Sequence, residues 1–432
     1  MKKNLISILC AVILFSACKK DDQSVFNKSA DERLNEALTA YQTKLAGAQY
    51  GWKGLISPKG GGTYTFYFKF DNSNRVQMLS SFDSTSAVTL KESSYRLKAV
   101  QQPSLLFDTY SYIHVLADPN PVVNGGGVGA GLQSDFEFYF DSTSNDTINL
   151  VGRFNGSKAQ LVRATQAEAT AFTTGQLANG LLINRIQTYY KRLTIANTSL
   201  DFYFDPLTAS VILPDNTGNL LDTSKRFTYY LSLNGIVFPK PIVVGNQTIT
   251  SINNLSFISA TQTINCTVNN ASATVKEVAQ PLKVDVNAPS RWWNYAVSKQ
   301  SYYGSPNGFH VNGIEDAYKL HAIPGFRFLY FEPKFTTITG NITVDFLGPV
   351  INDSLNYGAA FRPPFFTTTG VVVFQYLGDF GTIPSAQLSS YIGTVSKMND
   401  GSGFYLIQIG TSRYDMVSAR DGKSWISWFS PG

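Results

Sequence analysis

The side chains able to do chemistry are few and scattered. His114, His310 and His321 are the only imidazoles in 432 residues. His310 and His321 bracket Glu315 and Asp316, residue types that can hold a divalent cation when they converge. Their spacing matches no zinc pattern, in which ligands come in close pairs, so no metal site is expected. Hydrolysis needs a nucleophile beside a base, or a pair of facing carboxylates. Neither Gly-x-Ser-x-Gly nor His-Glu-x-x-His occurs, so no catalytic residue is assigned and the chain is not read as an enzyme. Gly125-Gly126-Gly127-Val128-Gly129-Ala130-Gly131 has the glycine density of a phosphate-cradling loop. No Gly-Lys-Ser/Thr follows it, and a strand pattern rather than a helix comes next, so a close-packed or flexible loop is expected. The sharper expectation is sugar binding, in which C–H faces stack on flat aromatics and nearby polar groups bond the hydroxyls. Arg291, Trp292, Trp293, Tyr302 and Tyr303 form such a group. Read as strand, it would put its adjacent tryptophans on opposite faces, leaving at least one free for a ligand.

The first residues carry a different chemistry. Lys2 and Lys3 precede an apolar run at 5–15 and then Ser16-Ala17-Cys18, the three-part pattern of an export signal. That run is too short to span the roughly 30 Å of a bilayer as a helix. Phe15-Ser16-Ala17-Cys18 resembles the lipobox of bacterial lipoproteins. The resemblance implies cleavage before Cys18, lipid on its thiol and amine, and hence a membrane anchor. Lys19-Lys20-Asp21-Asp22 resembles the export signal that carries Bacteroidota lipoproteins to the outer face of the outer membrane. The chain is thus expected to comprise a signal peptide at 1–17, a polar tether at 18–28 and a folded part beyond.

Charged residues make up 15% of the chain, well under the usual share of about 25%, while Phe (30) and Tyr (23) are abundant. That balance favours short strands and polar turns over long helices. The formal charge of +5 falls by two when Lys2 and Lys3 leave, and no basic stripe remains, so a nucleic-acid partner is excluded. With Cys10 in the signal and Cys18 lipidated, Cys266 is alone. It alternates in phase with Ile264 and Val268, as a thiol buried in a strand would.

The elements that must position these groups begin with a helix. Ser29 and Glu32 form a capping box, Leu34, Leu38, Tyr41 and Leu45 make one stripe, and Gly47 and Gly51 end it. From Trp52 the period becomes two. Tyr64, Phe66, Phe68 and Phe70 share one face, followed by a turn at 71–74, a return strand from Val76, and further strands at 95–100, 112–116, 136–140, 148–151 and 159–163. An aromatic strand, an Asp-led turn and an aliphatic strand recur at 67–78, 138–150 and 202–213. A helix over 181–191 precedes the third instance. Together these predict a mainly β chain with a few helices, built as antiparallel meander sheets or barrel-like lobes, each preceded by a helix. The lobes are expected at 29–165, 166–283 and 284–432, the last closing on strands at 404–409, 414–417 and 425–429.

Ser94-Tyr95-Arg96-Leu97-Lys98, the run from Gln102 through Asp118-Pro119, and the glycine cluster leading into Ser134-Asp135-Phe136-Glu137-Phe138 occur in one order. With Gly51-Trp52 before them and Phe202-Tyr203-Phe204-Asp205 after, they resemble the Bacteroidota lipoprotein family called domain of unknown function 4302. The resemblance covers the chain to about residue 283. It implies a cell-envelope lipoprotein that accompanies a SusC/SusD-type nutrient uptake system, and it brings no catalytic residues and no cofactor. Ligand binding, with a glycan as the ligand, is the expectation. An adhesin or structural envelope protein is the rival from another class, and an extracytoplasmic hydrolase is the third.

Overall fold

The computed structural model describes residues 28–100, 102–206 and 209–431. Cys18 and the Lys19, Lys20, Asp21 and Asp22 signal lie outside them. Strand accounts for 45% and helix for 18%, so the chain is mainly β, as its composition predicts.

The first helix, α1 (Ala30–Ala46), starts where its capping box is written. The Glu32 amide donates to Ser29 Oγ at 3.1 Å and the Ser29 amide donates to Glu32 Oε2 at 2.8 Å. Tyr41 stacks on Phe140 at 3.7 Å, and the Leu45 carbonyl accepts from Trp52 Nε1 at 2.9 Å, which docks the helix across the following sheet. That sheet is a closed barrel of eight strands. They are β1 (Trp52–Ser57), β2 (Tyr64–Phe70), β3 (Arg75–Ser80), β4 (Lys91–Val100), β5 (Gln102–Phe107), β6 (Glu137–Thr143), β7 (Thr147–Gly152) and β8 (Lys158–Arg163). Each pairs antiparallel with the next, and β8 returns to β1 with Leu161 opposite Gly54. Trp52, Phe66, Phe68, Phe70, Phe107 and Phe138 fill the interior, so the barrel is a packed core and not a pore.

One expectation fails here and one holds. Residues 112–116 do not form a strand: Tyr112–Val115 is a helical turn, because the Ser111 amide donates to His114 Nδ1 at 3.1 Å and closes the backbone locally. The strand of that region is β5, just upstream. The glycine cluster is a close-packed loop. Gly127 bridges Gly131, and a Cβ on Gly126 would meet the Gly131 carbonyl carbon at 2.2 Å, which no side chain tolerates.

A second helix, α2 (Gln166–Thr173), has its own capping box from Thr165 and Glu168. The helix expected at 181–191 is instead a 3-10 segment, Gln176–Arg185, which stops before a strand begins at Lys191. Nine strands follow. They are β9 (Lys191–Ile195), β10 (Thr198–Asp205), β11 (Ser210–Ile212), β12 (Arg226–Thr228), β13 (Tyr230–Ser232), β14 (Gly235–Val244), β15 (Gln247–Ile258), β16 (Thr263–Val268) and β17 (Ala271–Glu277). Again the last strand pairs with the first, Val275 opposite Leu193, and the ring stays open only between β12 and β13.

The third sheet repeats the rule. After α3 (Ala288–Lys299) come β18 (Tyr303–Ser305), β19 (Phe309–Val311), β20 (Phe326–Ile338), β21 (Ile342–Ile351), β22 (Tyr357–Phe361), β23 (Phe365–Phe366), β24 (Val371–Val373) and β25 (Tyr376–Gly381). Helix α4 (Leu388–Met398) leads to β26 (Phe404–Gly410), β27 (Arg413–Ser418) and β28 (Ser424–Phe429). β28 pairs with both β18 and β19, at the start of the same sheet.

Cys266 lies on β16 with Ile264 and Val268 buried beside it, and burial pushes its thiol up to about 12. A thiol with so little thiolate, shielded from reagent, is inert. In a soluble chain beginning near Asp22, where Cys266 is the sole cysteine, Ellman's reagent is expected to react only after guanidinium unfolds the protein. Prompt reaction of the native protein would mean that the second sheet does not close over this side chain.

Candidate ligand-binding cleft

The residues expected to form a sugar platform do not form one. Residues 291–295 lie in α3 and not in a strand, so successive side chains turn by about 100° and Trp292, Trp293 and Ala296 share one broad inward face. Trp292 is buried between Tyr303 (4.9 Å) and Phe331 (5.1 Å). Trp293 is only 8% exposed, and its Nε1 donates to the buried Asp345 carboxylate at 2.7 Å. Tyr303 is also core, its hydroxyl donating to the Trp292 carbonyl at 2.9 Å. Tyr302 is half-buried in a stack with Tyr330 and Phe328 on another face. Arg291 is held by Asp285 at 2.6 Å. The group is therefore core and clasp, and the cleft that matters lies elsewhere.

That cleft, about 640 Å³, opens where the second and third lobes meet. Its size is that of a pocket for a small molecule or a few sugar units. The backing is apolar: Tyr190, Ile212 and Leu220 pack against Val371, Tyr405, Ile407 and Val417. Hydrogen bonds clasp the two lobes beside it. The Tyr189 amide donates to the Gly422 carbonyl at 2.7 Å, the Leu220 amide to the Gln408 carbonyl at 2.9 Å, and the Gln408 amide to Asn219 Oδ1 at 2.9 Å. The walls are thus set by packing rather than by a hinge.

The third lobe supplies Trp425 and His310, which face each other across the β19–β28 pair and stack at 3.6 Å. The second lobe supplies Tyr189 and Tyr203, 4.7 Å apart, with Tyr189 edge-on to Trp425 at 5.5 Å. Behind them the Tyr189 hydroxyl and the Ser427 hydroxyl each donate to Asp415 at 2.6 Å. Burial pushes the Asp415 carboxyl up and the Tyr189 and Tyr203 hydroxyls up as well, so the aromatic wall stays neutral at pH 7.

Of the histidine and acid group considered for a metal, the fold unites only His310 and Glu315. Gly313 donates its amide to His310 Nε2 at 3.1 Å, so Nε2 accepts, and Nδ1 carries the proton given to Glu315 at 2.7 Å. Both ring nitrogens are engaged, which leaves neither for a metal or for proton transfer. Asp316 instead accepts the Leu320 and His321 amides, and His321 rests edge-on against Phe326. Among the described residues no three His, Cys, Asp or Glu side chains gather to hold a metal ion.

Lys191 forms the floor. It shares the inward face of β9 with Leu193 and Ile195, at the mouth of the second sheet, and is 9% exposed. Burial pushes its ammonium down to about 8, with Glu277 opposing the shift. Lys191 and Trp425 were not among the residues picked out for chemistry in the sequence. The available signal is a lysine in phase with Leu193 and Ile195, obscured because Lys191 is also the last residue of the helix expected over 181–191.

The comparisons with known proteins add a family. Residues 22–256 match the family model described as domain of unknown function (DUF4302). No curated protein sequence matches the chain. Among solved structures, the isotype 1 transferrin binding protein B of serogroup B Neisseria meningitidis is 9% identical over 88% of this chain and 73% of its own, with a TM-score of 0.15. A DNA polymerase III subunit beta sliding clamp from Bartonella birtlesii LL-WM9 is 10% identical over 91% and 97%, with a TM-score of 0.12. Both likenesses are too slight to inform the fold.

The lowered lysine gives a signed expectation. Below about 8 the folded protein carries a charge that is costly to bury. Between about 8 and the ordinary 10.5, the folded state has released this proton while the unfolded chain retains it, so the cost fades as pH rises. Lys191→Met is expected to raise stability at pH 7 by up to roughly 3 kcal/mol. That gain in melting temperature should shrink steadily from pH 8 to pH 10; a gain that is absent, or that grows with pH, would remove Lys191 from the buried floor.

Proposed function

The chain belongs to the DUF4302 family, and on that premise we propose that it is an exported lipoprotein, anchored by lipid on Cys18 and displayed on the outer face of the outer membrane. There its cleft between the second and third lobes binds a ligand, with a glycan as the class, for a SusC/SusD-type nutrient uptake system. The observation that carries this reading is the cleft itself: the partly exposed rings of Tyr203 and Trp425, backed by the buried Tyr189, beside Gln187, Asn307 and Glu315, in a space of about 640 Å³. Stacking faces with scattered hydrogen-bonding groups are what a sugar ring needs. No catalytic step is assigned, because His310 is committed at both nitrogens. The address rests on Phe15-Ser16-Ala17-Cys18 and on Lys19, Lys20, Asp21 and Asp22.

A second reading, an adhesin or scaffold that binds another protein, is favoured by one observation. At an end of the barrel Phe154 is 94% and Val128 87% exposed, beside the half-exposed Tyr110 and Phe136. Apolar side chains left in water in one neighbourhood mark contact surfaces.

Both readings are testable with a soluble chain starting near Asp22. On a glycan array the protein is expected to retain at least one oligosaccharide and to lose it on Trp425→Ala. Retention that survives this change but is lost on Phe154→Ser would move the function to the barrel end. In cells, Cys18→Ala is expected to abolish palmitate incorporation, and added proteinase is expected to digest the wild-type protein on intact cells. Full protection would place it on the inner side of the membrane.

A further inference from the structure

Within the proposed cleft, the least satisfied group is its floor. The Lys191 ammonium has three donors, and its one hydrogen bond is a long contact to the Thr188 carbonyl at 3.4 Å. It lies 5.9 Å from the Phe204 ring centroid, a weak cation–π distance, and it forms no ion pair among the described residues. The neighbouring acids are already spoken for. Glu277, its partner across the β9–β17 ladder, takes Lys423 at 2.6 Å and the Gln187 amide at 3.2 Å. Asp205 pairs with Arg226 at 3.6 Å, and Glu315 holds His310 at 2.7 Å. In the lining from the third lobe, the Ser305 hydroxyl is buried with no hydrogen-bond partner among the described residues. A buried cation with only one long hydrogen bond for its three donors is expensive unless something else supplies an acceptor. Here the open side is the cleft, where an anion would meet it away from bulk water and its screening.

We propose that the cleft selects an acidic ligand, a saccharide bearing a carboxylate or sulfate, whose anionic group seats on the Lys191 ammonium. This rests on the cleft being the binding site and adds the charge of what it binds. The aromatic wall would take the ring faces and Lys191 the charge, so both features are needed for one ligand.

Trp425 provides a local readout, since Trp52, Trp292, Trp293 and Trp428 are all buried in cores away from the cleft. Trp425 fluorescence would be titrated with tri-galacturonate, with the uncharged galactose trimer and with a sulfated galactose trimer, using wild type, Lys191→Met and Lys191→Arg. At least one acidic trimer is expected to bind tenfold or more tightly than the neutral one, a charge-assisted contact being strong enough for that factor. Lys191→Met should bring the ratio of acidic to neutral binding down to about one, whatever it does to neutral binding itself, and Lys191→Arg should keep part of the preference. Whether the uronate or the sulfate wins tells a planar from a tetrahedral anion. Equal binding of neutral and acidic trimers, unmoved by Lys191→Met, overturns the charge selection and leaves the cleft reading intact. If no trimer binds, or if calorimetry, which does not need the Trp425 signal, shows binding persisting in Trp425→Ala, the cleft reading falls and this inference with it.

Discussion

The structure depends on one recurring constraint, the pairing of each lobe's last strand with its first. Arg163 lies opposite Trp52, Glu277 opposite Lys191 and Phe429 opposite Gly304. A meander left open would expose two rows of unpaired amides and carbonyls; joining first to last removes them, fully in the first lobe and nearly so in the second. Everything else in a lobe hangs from that seam. At Gly54 the interior beside the seam is so full that a Cβ would meet the Phe68 ring of β2 at 2.7 Å and Leu161 of β8 at 3.2 Å. At Lys191 the same seam delivers a charged side chain to the rim of an apolar interior. The cleft lies where β9, at the seam of the second lobe, comes up against β28 and β19, at the seam of the third.

The cleft carries buried ionisable groups that packing alone does not need. Lys191 and Asp415 are both buried ionisable groups whose charged forms are disfavoured by their surroundings. Asp415 is repaired by hydroxyls from Tyr189 and Ser427, whereas Lys191 is left with one long bond. Asymmetry of this kind, in a pocket walled by aromatics, is how binding sites differ from cores.

How much could be read from the sequence varied with how local the cause was. Capping boxes and alternation act over a few residues, so Ser29–Glu32, the aromatic face from Tyr64 to Phe70 and the buried phase of Cys266 were all legible. The seams were not, because nothing near Trp52 says that Arg163 will lie beside it. The tryptophan pair misled for a related reason. Arg291 to Tyr295 holds aromatics in a density that suits strands, and only the docking of α3 on its sheet makes it helical and buried. The cleft was least legible, since its walls come from residues 184–206 and 305–427 and become neighbours only through two separate closures.

First-to-last pairing also places the entry and exit of each lobe side by side. The barrel begins at Trp52 and finishes at Arg163 on adjacent strands, and the connections to its neighbours leave from that one edge. Each lobe is therefore a bead whose thread enters and leaves at the same point. Such a bead accepts new ends in its hairpin turns and tolerates insertion between its neighbours without crossing the chain, the arrangement best suited to circular permutation. In a chain of such beads the lobes meet only at their surfaces, so a change at one junction leaves the closed sheets on either side of it in place.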